Sequence, residues 1–409
     1  MKARTNADVV VIGGGILGAS IAWHLTRAGI TDTVVVERNE VASGATAYTA
    51  GLVSLARTNR DALTMVRCTH SAIAELEASL GESVGFRRTG TVRIAETDET
   101  SQGLENMVRL LSSAGIEARA IDGESAREMV PWLDPDAARS IIHVADDGYV
   151  DGHMLASAYM RAARNAGATL RTRTSALAAI RSGERVVGVE TSRGRIGCKW
   201  LVDAAGTWAG DVLRWVGVDL AASPLRSHYW LSAPVEERWR DIPVVHLPDA
   251  RTYLRREGAG LLLGIQEPVS RAYDARRLPA DMSEMTLTGE EDWELLADHA
   301  PRIRPCFPDF DELRYAHHIA GLTTYTPDGE LLLGTFPGVE GLLLAGGCCG
   351  KGVSVSGGVG RIVADRILGH PALVDLDRLR PDRFGTDDPH SEAFVARCVD
   401  ARANKGRRA

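Results

Sequence analysis

The feature that most constrains this chain is a glycine cluster interrupting an apolar run, ADVVVIGGGILGASIAWHLTRAGI, Ala7 to Ile30. No charge occurs from Val9 to Trp23, and Lys2 and Arg4 precede the run, so a targeting signal or membrane anchor could begin this way. A signal needs an unbroken apolar helix, however, and each of three adjacent glycines weakens such a helix by roughly 1 kcal/mol relative to alanine. The same glycines suit a tight strand-to-helix turn. Val9 to Ile12 is β-branched and reads as a buried parallel strand. Gly13, Gly15 and Gly18 then fit G-x-G-x-x-G, and Ala19 to Arg27 reads as a helix stopped at Gly29. Thr33 to Val36 reads as a second strand, and Glu37 follows it at about the 20-residue distance from which an acid reaches ribose hydroxyls. Strand, turn, helix, strand and acid in order make this a nucleotide-binding unit.

A chain of 409 residues is long for one core, so two domains are expected. A net charge of −7 argues against nucleic acid or an anionic membrane as main partner. No other stretch is long and apolar enough to span a bilayer. The six cysteines show no framework and no C-x-x-C, which suits a reducing cytoplasm. The eleven histidines form no H-E-x-x-H, so no metal site is expected.

Two later segments repeat the strand–glycine–helix theme. In VDAAGTWAG a strand ends at Ala204-Ala205, Gly206 allows a turn and Trp208 begins a helix. In LLLAGGCCGKGVSVSGG a strand meets glycines at 346, 347, 350 and 352, and a helix of small residues follows. Glycines let a flat ring approach the backbone, and a helix N-terminus offers unpaired N–H groups with partial positive charge. Elsewhere Asn59 caps an expected helix over 60–79, Asp151 caps another over 154–166, and FRRTGTVRIA (86–95) alternates as a strand. Residues 225–265 read as antiparallel strands, and the charged last 30 or so residues as a loosely held tail.

Together these segments resemble the D-amino-acid oxidase superfamily of FAD enzymes, closest to its glycine oxidase, sarcosine oxidase and dimethylglycine dehydrogenase branch. The likeness runs in family order from about 7 to 370 through GGGILG, SGATAYTAG, GYVDGHMLASAYMRAA, VDAAGTWAG, YLRREGAGLLLG, AGLTTYTPDGELLLG and AGGCCGKGVSVSGG. It implies an α/β fold (α+β overall). A discontinuous Rossmann-type FAD domain would span 1–85, 146–218 and 318–372. A substrate domain built on an antiparallel sheet would span 86–145 and 219–317, with a C-terminal helix or tail at 373–409. It further implies FAD contacts from Gly13, Gly15, Ile16, Gly18, Glu37, Arg38, Ser43, Ala45, Thr46, Gly51 and Leu52. Ala205, Gly206, Trp208, Gly347, Gly350, Lys351, Gly352, Val353 and Ser354 would complete the set.

The reaction implied is oxidation of a C–N bond beside a carboxylate, with hydride passing to flavin N5 and the imine hydrolysing. The flavin carries the chemistry, and no dedicated base is needed if the amine binds neutral. Substrate contacts are expected from Tyr48, His228, Tyr229, Tyr253, Arg255 and Lys351, with Arg255 or Lys351 for a carboxylate. The pair His317-His318 reads as hydrogen-bonded near a strand end. Three positions depart from relatives. Gly321 stands where monomeric sarcosine oxidase attaches flavin through cysteine, and Tyr48 where the dehydrogenases use histidine, so FAD is expected to be non-covalent. Leu262 stands where a lysine promotes reaction with oxygen, which leans towards a dehydrogenase. The leading expectation is a secondary or tertiary amine, an N-methylated or cyclic amino acid. A D-amino acid or glycine, a hydroxy acid, or a flavin subunit of a hetero-oligomer remain alternatives. The acceptor is O2, a quinone or an electron-transfer protein, and the chain a monomer or homo-oligomer.

Overall fold

Valines on both faces of the first strand require cover on both sides, and β1 (Asn6–Ile12) is accordingly buried from Val9 onward. The computed structural model describes residues 5–239 and 241–405, so Lys2, Arg4 and the final GRRA lie outside the described residues. β1 pairs in parallel with β2 (Thr33–Val36) on one side and β11 (Gly194–Asp203) on the other. β8 (Thr169–Arg171) extends the parallel set beyond β2, and β18 (Val339–Gly346) extends it beyond β11. The register Val11↔Val35, Val11↔Val202 and Val202↔Leu343 aligns the C-terminal ends of these strands along one sheet edge. Antiparallel strands β9 (Ala176–Ser182), β10 (Arg185–Thr191) and β17 (Leu332–Phe336) complete this sheet.

One face is covered by α1 (Ile16–Arg27), α2 (Arg60–Leu80), α5 (Gly152–Asn165) and α8 (Gly352–Leu368). The small residues of α8 explain the closeness. A Cβ on Gly357 would lie 2.5 Å from the Cys68 carbonyl oxygen, and one on Gly358 2.5 Å from the Met65 backbone. The opposite face packs on α6 (Ala209–Arg214). Asn59 and Asp151 cap α2 and α5, accepting from Ala62 and Met154 N–H as the sequence predicts.

The second sheet runs β16 (Tyr315–Tyr325), β12 (Ser223–Ser232), β15 (Gly260–Ile265), β14 (Thr252–Glu257), β13 (Val244–Leu247), β4 (Thr91–Ala95), β6 (Ser140–Val144), β5 (Ala118–Ala120). Its core stacks Trp132 on Phe307 at 4.1 Å and packs on α4 (Gly123–Met129) and α7 (Glu291–Ile303). α3 (Asp98–Ser113) follows β4. A two-stranded pair, β3 (Leu52–Val53) with β7 (Gly148–Tyr149), links the two sheets.

Three expectations shift. The strand expected over 86–95 begins only at Thr91, because Gly90 takes φ +75° and Arg87 makes an isolated bridge to Tyr149. The boundary expected at 317 falls inside β16, which stays with the second sheet to Tyr325. The tail is not loosely held as far as Lys405. α9 (Glu392–Ala403) buries Phe394, Cys398, Ala401 and Arg402, and Arg402 is paired with Glu267.

Candidate active site

The three glycine turns meet at the C-terminal ends of the parallel strands. Gly13, at φ +104°, leaves β1 so tightly that a Cβ there would strike the Ala204 carbonyl. A Cβ on Gly18 would run into Gly13, which is why the motif's last position has no side chain. Glu37 ends β2 with Oε2 accepting the Gly14 N–H at 2.7 Å and Oε1 the Asn39 N–H at 2.8 Å. Arg38 lies 4.0 Å over the Trp208 ring, and the Trp208 indole N–H donates to Pro279 O. Ala205 N–H donates to Asp203 Oδ1, and Gly206 turns at φ +61°. Asp203 is fully buried, and desolvation pushes its pKa up to about 8.

Beside this cluster a cavity opens between the two sheets. Its wall includes Ile16 at the start of α1, Ala45, Thr46, Gly51 and Leu52, and the Gly350–Ser354 start of α8. Neither α1 nor α8 has a side-chain cap, so both helices present first-turn N–H groups and a positive dipole end towards the cluster and cavity. Ile16 N–H is the exception, donating to Thr46 Oγ1 at 3.0 Å. A dinucleotide with a flat ring would fit this donor set, with α1 available to its diphosphate, Glu37 to a ribose and the start of α8 to the ring's electron-rich edge. Ser43 is exposed beside the Ala45–Tyr48 3₁₀ turn, and Gly347 turns at φ +56° outside the wall.

The opposite wall comes from the second sheet. Tyr229 and Tyr253 line it, Tyr48 reaches the cavity from the Ala45–Tyr48 turn, and among the described residues none of the three hydroxyls has a protein hydrogen-bond partner. Burial raises Tyr229 and Tyr253 to about 12, keeping both as neutral donors. Tyr48 lies against Gly321, where a Cβ would come within 2.5 Å of the Tyr48 Cβ.

Two expected contacts differ. Arg255 does not line the cavity: Nε donates to Ala50 O at 2.7 Å, Nη1 pairs with Glu257 at 2.6 Å, and the guanidinium covers Tyr149. His228 lines the wall, but both ring nitrogens are engaged, Nδ1 with His318 Nε2 and Nε2 with Glu267 Oε2, each at 3.1 Å. Its burial lowers the imidazole pKa, opposed by Glu267. His228, His318 and Asp292 bring ligand atoms within 4.8 Å of one another. Arg226 already pairs with Asp292 and Arg402 with Glu267, so charge is balanced before any cation enters. Lys351 reaches the wall, with Nζ donating to Gly329 O at 2.9 Å. Leu262 is buried beside Leu231 and Arg255, off the cavity wall.

Sequence reading missed the cavity's other cations. Arg57 donates to Ser354 Oγ at 2.6 Å, placing a guanidinium at the start of α8. Arg93 comes from β4, and Arg402 and Lys405 from the C-terminal segment. The i, i+4, i+7 and i+8 spacing of Phe394, Cys398, Ala401 and Arg402 was the available signal for a docked helix.

A sequence profile described as FAD dependent oxidoreductase matches residues 8–366. The chain is 28% identical to mitochondrial dimethylglycine dehydrogenase of Rattus norvegicus, over 95% of this chain and 46% of that protein. It is also 28% identical to glycine oxidase of Bacillus licheniformis, over 91% of this chain and 96% of that one. The chain thus spans about half the length of the first of these relatives. L-proline dehydrogenase from P. horikoshii superposes with a TM-score of 0.81 at 22% identity, covering 93% of this chain and 98% of that one, a likeness of fold.

Proposed function

Because this chain belongs to the family of FAD-dependent oxidoreductases, we propose that it oxidises the C–N bond of a secondary or tertiary amine, an N-methylated or cyclic amino acid. The observation that carries the reading is the cavity itself. The first and third turn segments reach it through Ile16 and Gly350–Ser354, and its lining presents tyrosine hydroxyls and cations with no carboxylate among the described residues. Bound FAD would supply the hydride acceptor, leaving the protein to bind and orient.

Arg57, at the start of α8, is the carboxylate partner in this reading, replacing Arg255, whose guanidinium is spent elsewhere. Guanidinium geometry suits a bidentate carboxylate. Tyr253 and Tyr229, held neutral, donate to the substrate from the opposite wall. The cation-rich wall favours an uncharged amine, so the amine binds in its neutral form, its proton left with solvent water, and no base is required in the hydride step. His228 is a positioning residue, because neither ring nitrogen is available to the cavity. FAD is non-covalent, with Tyr48 and Gly321 occupying the two places where relatives carry an anchoring histidine or cysteine.

Anaerobic bleaching of the flavin by sarcosine, dimethylglycine, pipecolate, D-alanine, glycine and 2-hydroxyglutarate tests the proposal. Bleaching by the N-substituted acids supports it, and bleaching by the hydroxy acid alone refutes it. Reoxidation in air against reoxidation by a quinone separates an oxidase from a dehydrogenase.

A further inference from the structure

Five positions line up across the second sheet on the face that turns to the cavity. The register pairs Arg93 of β4 with His246 of β13, His246 with Tyr253 of β14, Tyr253 with Gly264 of β15, and Gly264 with Tyr229 of β12. Residues opposite one another in a sheet share a face, and all of these but Gly264 line the cavity. Gly264 makes the room: a Cβ there would strike the Tyr253 ring, which lies over β15 beside Tyr229. The row is cationic at Arg93 and continues as neutral polar groups through His246, Tyr253 and Tyr229.

His246 differs from its cationic neighbours in being uncommitted. Arg93 has a partner of its own, and Arg57, whose field reaches both Arg93 and His246, donates to Ser354 Oγ. His246 makes no hydrogen bond among the described residues, and its ring lies 6.0 Å from that of Tyr253. Nε2 is buried, which leaves Nδ1 as the nitrogen able to meet a ligand. Burial first, then the fields of Arg93, Arg57 and Lys405, hold the imidazole neutral, so it carries a single hydrogen. On Nε2 that hydrogen would be a buried donor without an acceptor, among cations. On Nδ1 it becomes a donor for a ligand, and Nε2 keeps a lone pair that the positive field favours. A neutral donor also recognises an anion without adding to the repulsion among the three cations.

We infer that His246 binds the substrate carboxylate, donating Nδ1–H to it at the cationic end of the row beside Arg57, with the amine lying towards Tyr253 and Tyr229. This rests on the amine-oxidising reading above and gives it a direction along the sheet, carboxylate at β13 and amine at β14 and β12.

Calorimetric titration of the holoenzyme with methylthioacetate, an unreactive carboxylate in which sulfur replaces the amine, tests the assignment in the wild type and three variants. His246→Leu should weaken binding about tenfold or more, the loss of one donor to a charged acceptor. His246→Asn, whose side-chain amide reaches about as far as Nδ1, should restore most of it, and His246→Gln, which reaches as far as Nε2, should not. Affinity unchanged in His246→Leu overturns the inference, and the amine reading still stands if sarcosine bleaches the wild-type flavin. Rescue by glutamine and not by asparagine also overturns it. Failure of every amine to bleach the flavin overturns both. If His246→Leu does not fold, a crystal structure of the wild-type holoenzyme with methylthioacetate decides. Nδ1 within about 3.2 Å of a carboxylate oxygen is required, and a carboxylate held without His246 overturns the assignment.

Discussion

Replacing Arg402 by methionine isolates what the C-terminal helix contributes to the site. The guanidinium and Glu267 are each 3% exposed and meet at 2.6 Å, and Glu267 in turn holds His228 Nε2 at 3.1 Å. Burial alone would raise the Glu267 pKa, but Arg402, with help from His228, brings it down from 4.5 to about 2. That difference corresponds to about 3 kcal/mol, within the 3–5 kcal/mol typical of removing one partner of a buried pair. The folded-state pKa is depressed, so the stabilisation is complete above pH 4.5 and is lost as pH falls through about 2. Arg402→Met should therefore cost about 3 kcal/mol at pH 7 and much less near pH 3. Urea unfolding followed by tryptophan fluorescence measures this, and amide exchange should show α9 losing protection first. Arg402→Met combined with Glu267→Gln should recover most of the loss, because no unpaired charge then remains. A single variant costing under about 1 kcal/mol at pH 7, or a double variant no better than the single, would refute the reasoning.

Three other outcomes follow from the same geometry. Glu37→Ala should weaken FAD binding by about tenfold or more in a fluorescence titration, since it removes the proposed ribose acceptor and the brace on Gly14; unchanged affinity would contradict the proposal. Asp203→Asn should stabilise the protein increasingly as pH rises from 4 to 8. The wild-type carboxyl, raised to about 8, holds a proton that the unfolded chain releases, so its stability falls by about 1.4 kcal/mol per pH unit across that window. Gly357→Ala should cost about 2 kcal/mol or more by urea unfolding, because its methyl meets the Cys68–Thr69 backbone of α2.

What was legible in the sequence was local. The first turn and the caps at Asn59 and Asp151 are set by residues within a few positions of one another, and both caps sit as read. The cation cluster is different in kind. Arg57 reaches Ser354, and Arg402 reaches Glu267, across long stretches of chain, and only the pairing of β13 with β4 puts His246 opposite Arg93. Strand alternation says which side chains share a face, not which strand lies next door. Arg255 illustrates the converse: a well-placed arginine on a strand of the second sheet was drawn aside by Ala50 O and Glu257. The charged C-terminus read as loose because Arg402 counts as a surface residue until its buried partner is known.

The central claim is that three separated glycine turns hold a single FAD, and the absorption spectrum of the purified protein tests it most directly. The account predicts a flavin band near 450 nm at about one FAD per chain, present as isolated or after incubation with FAD and released wholly into the supernatant by acid. A protein that stays colourless after reconstitution would contradict the claim, and yellow colour remaining in the acid pellet would contradict the non-covalent assignment.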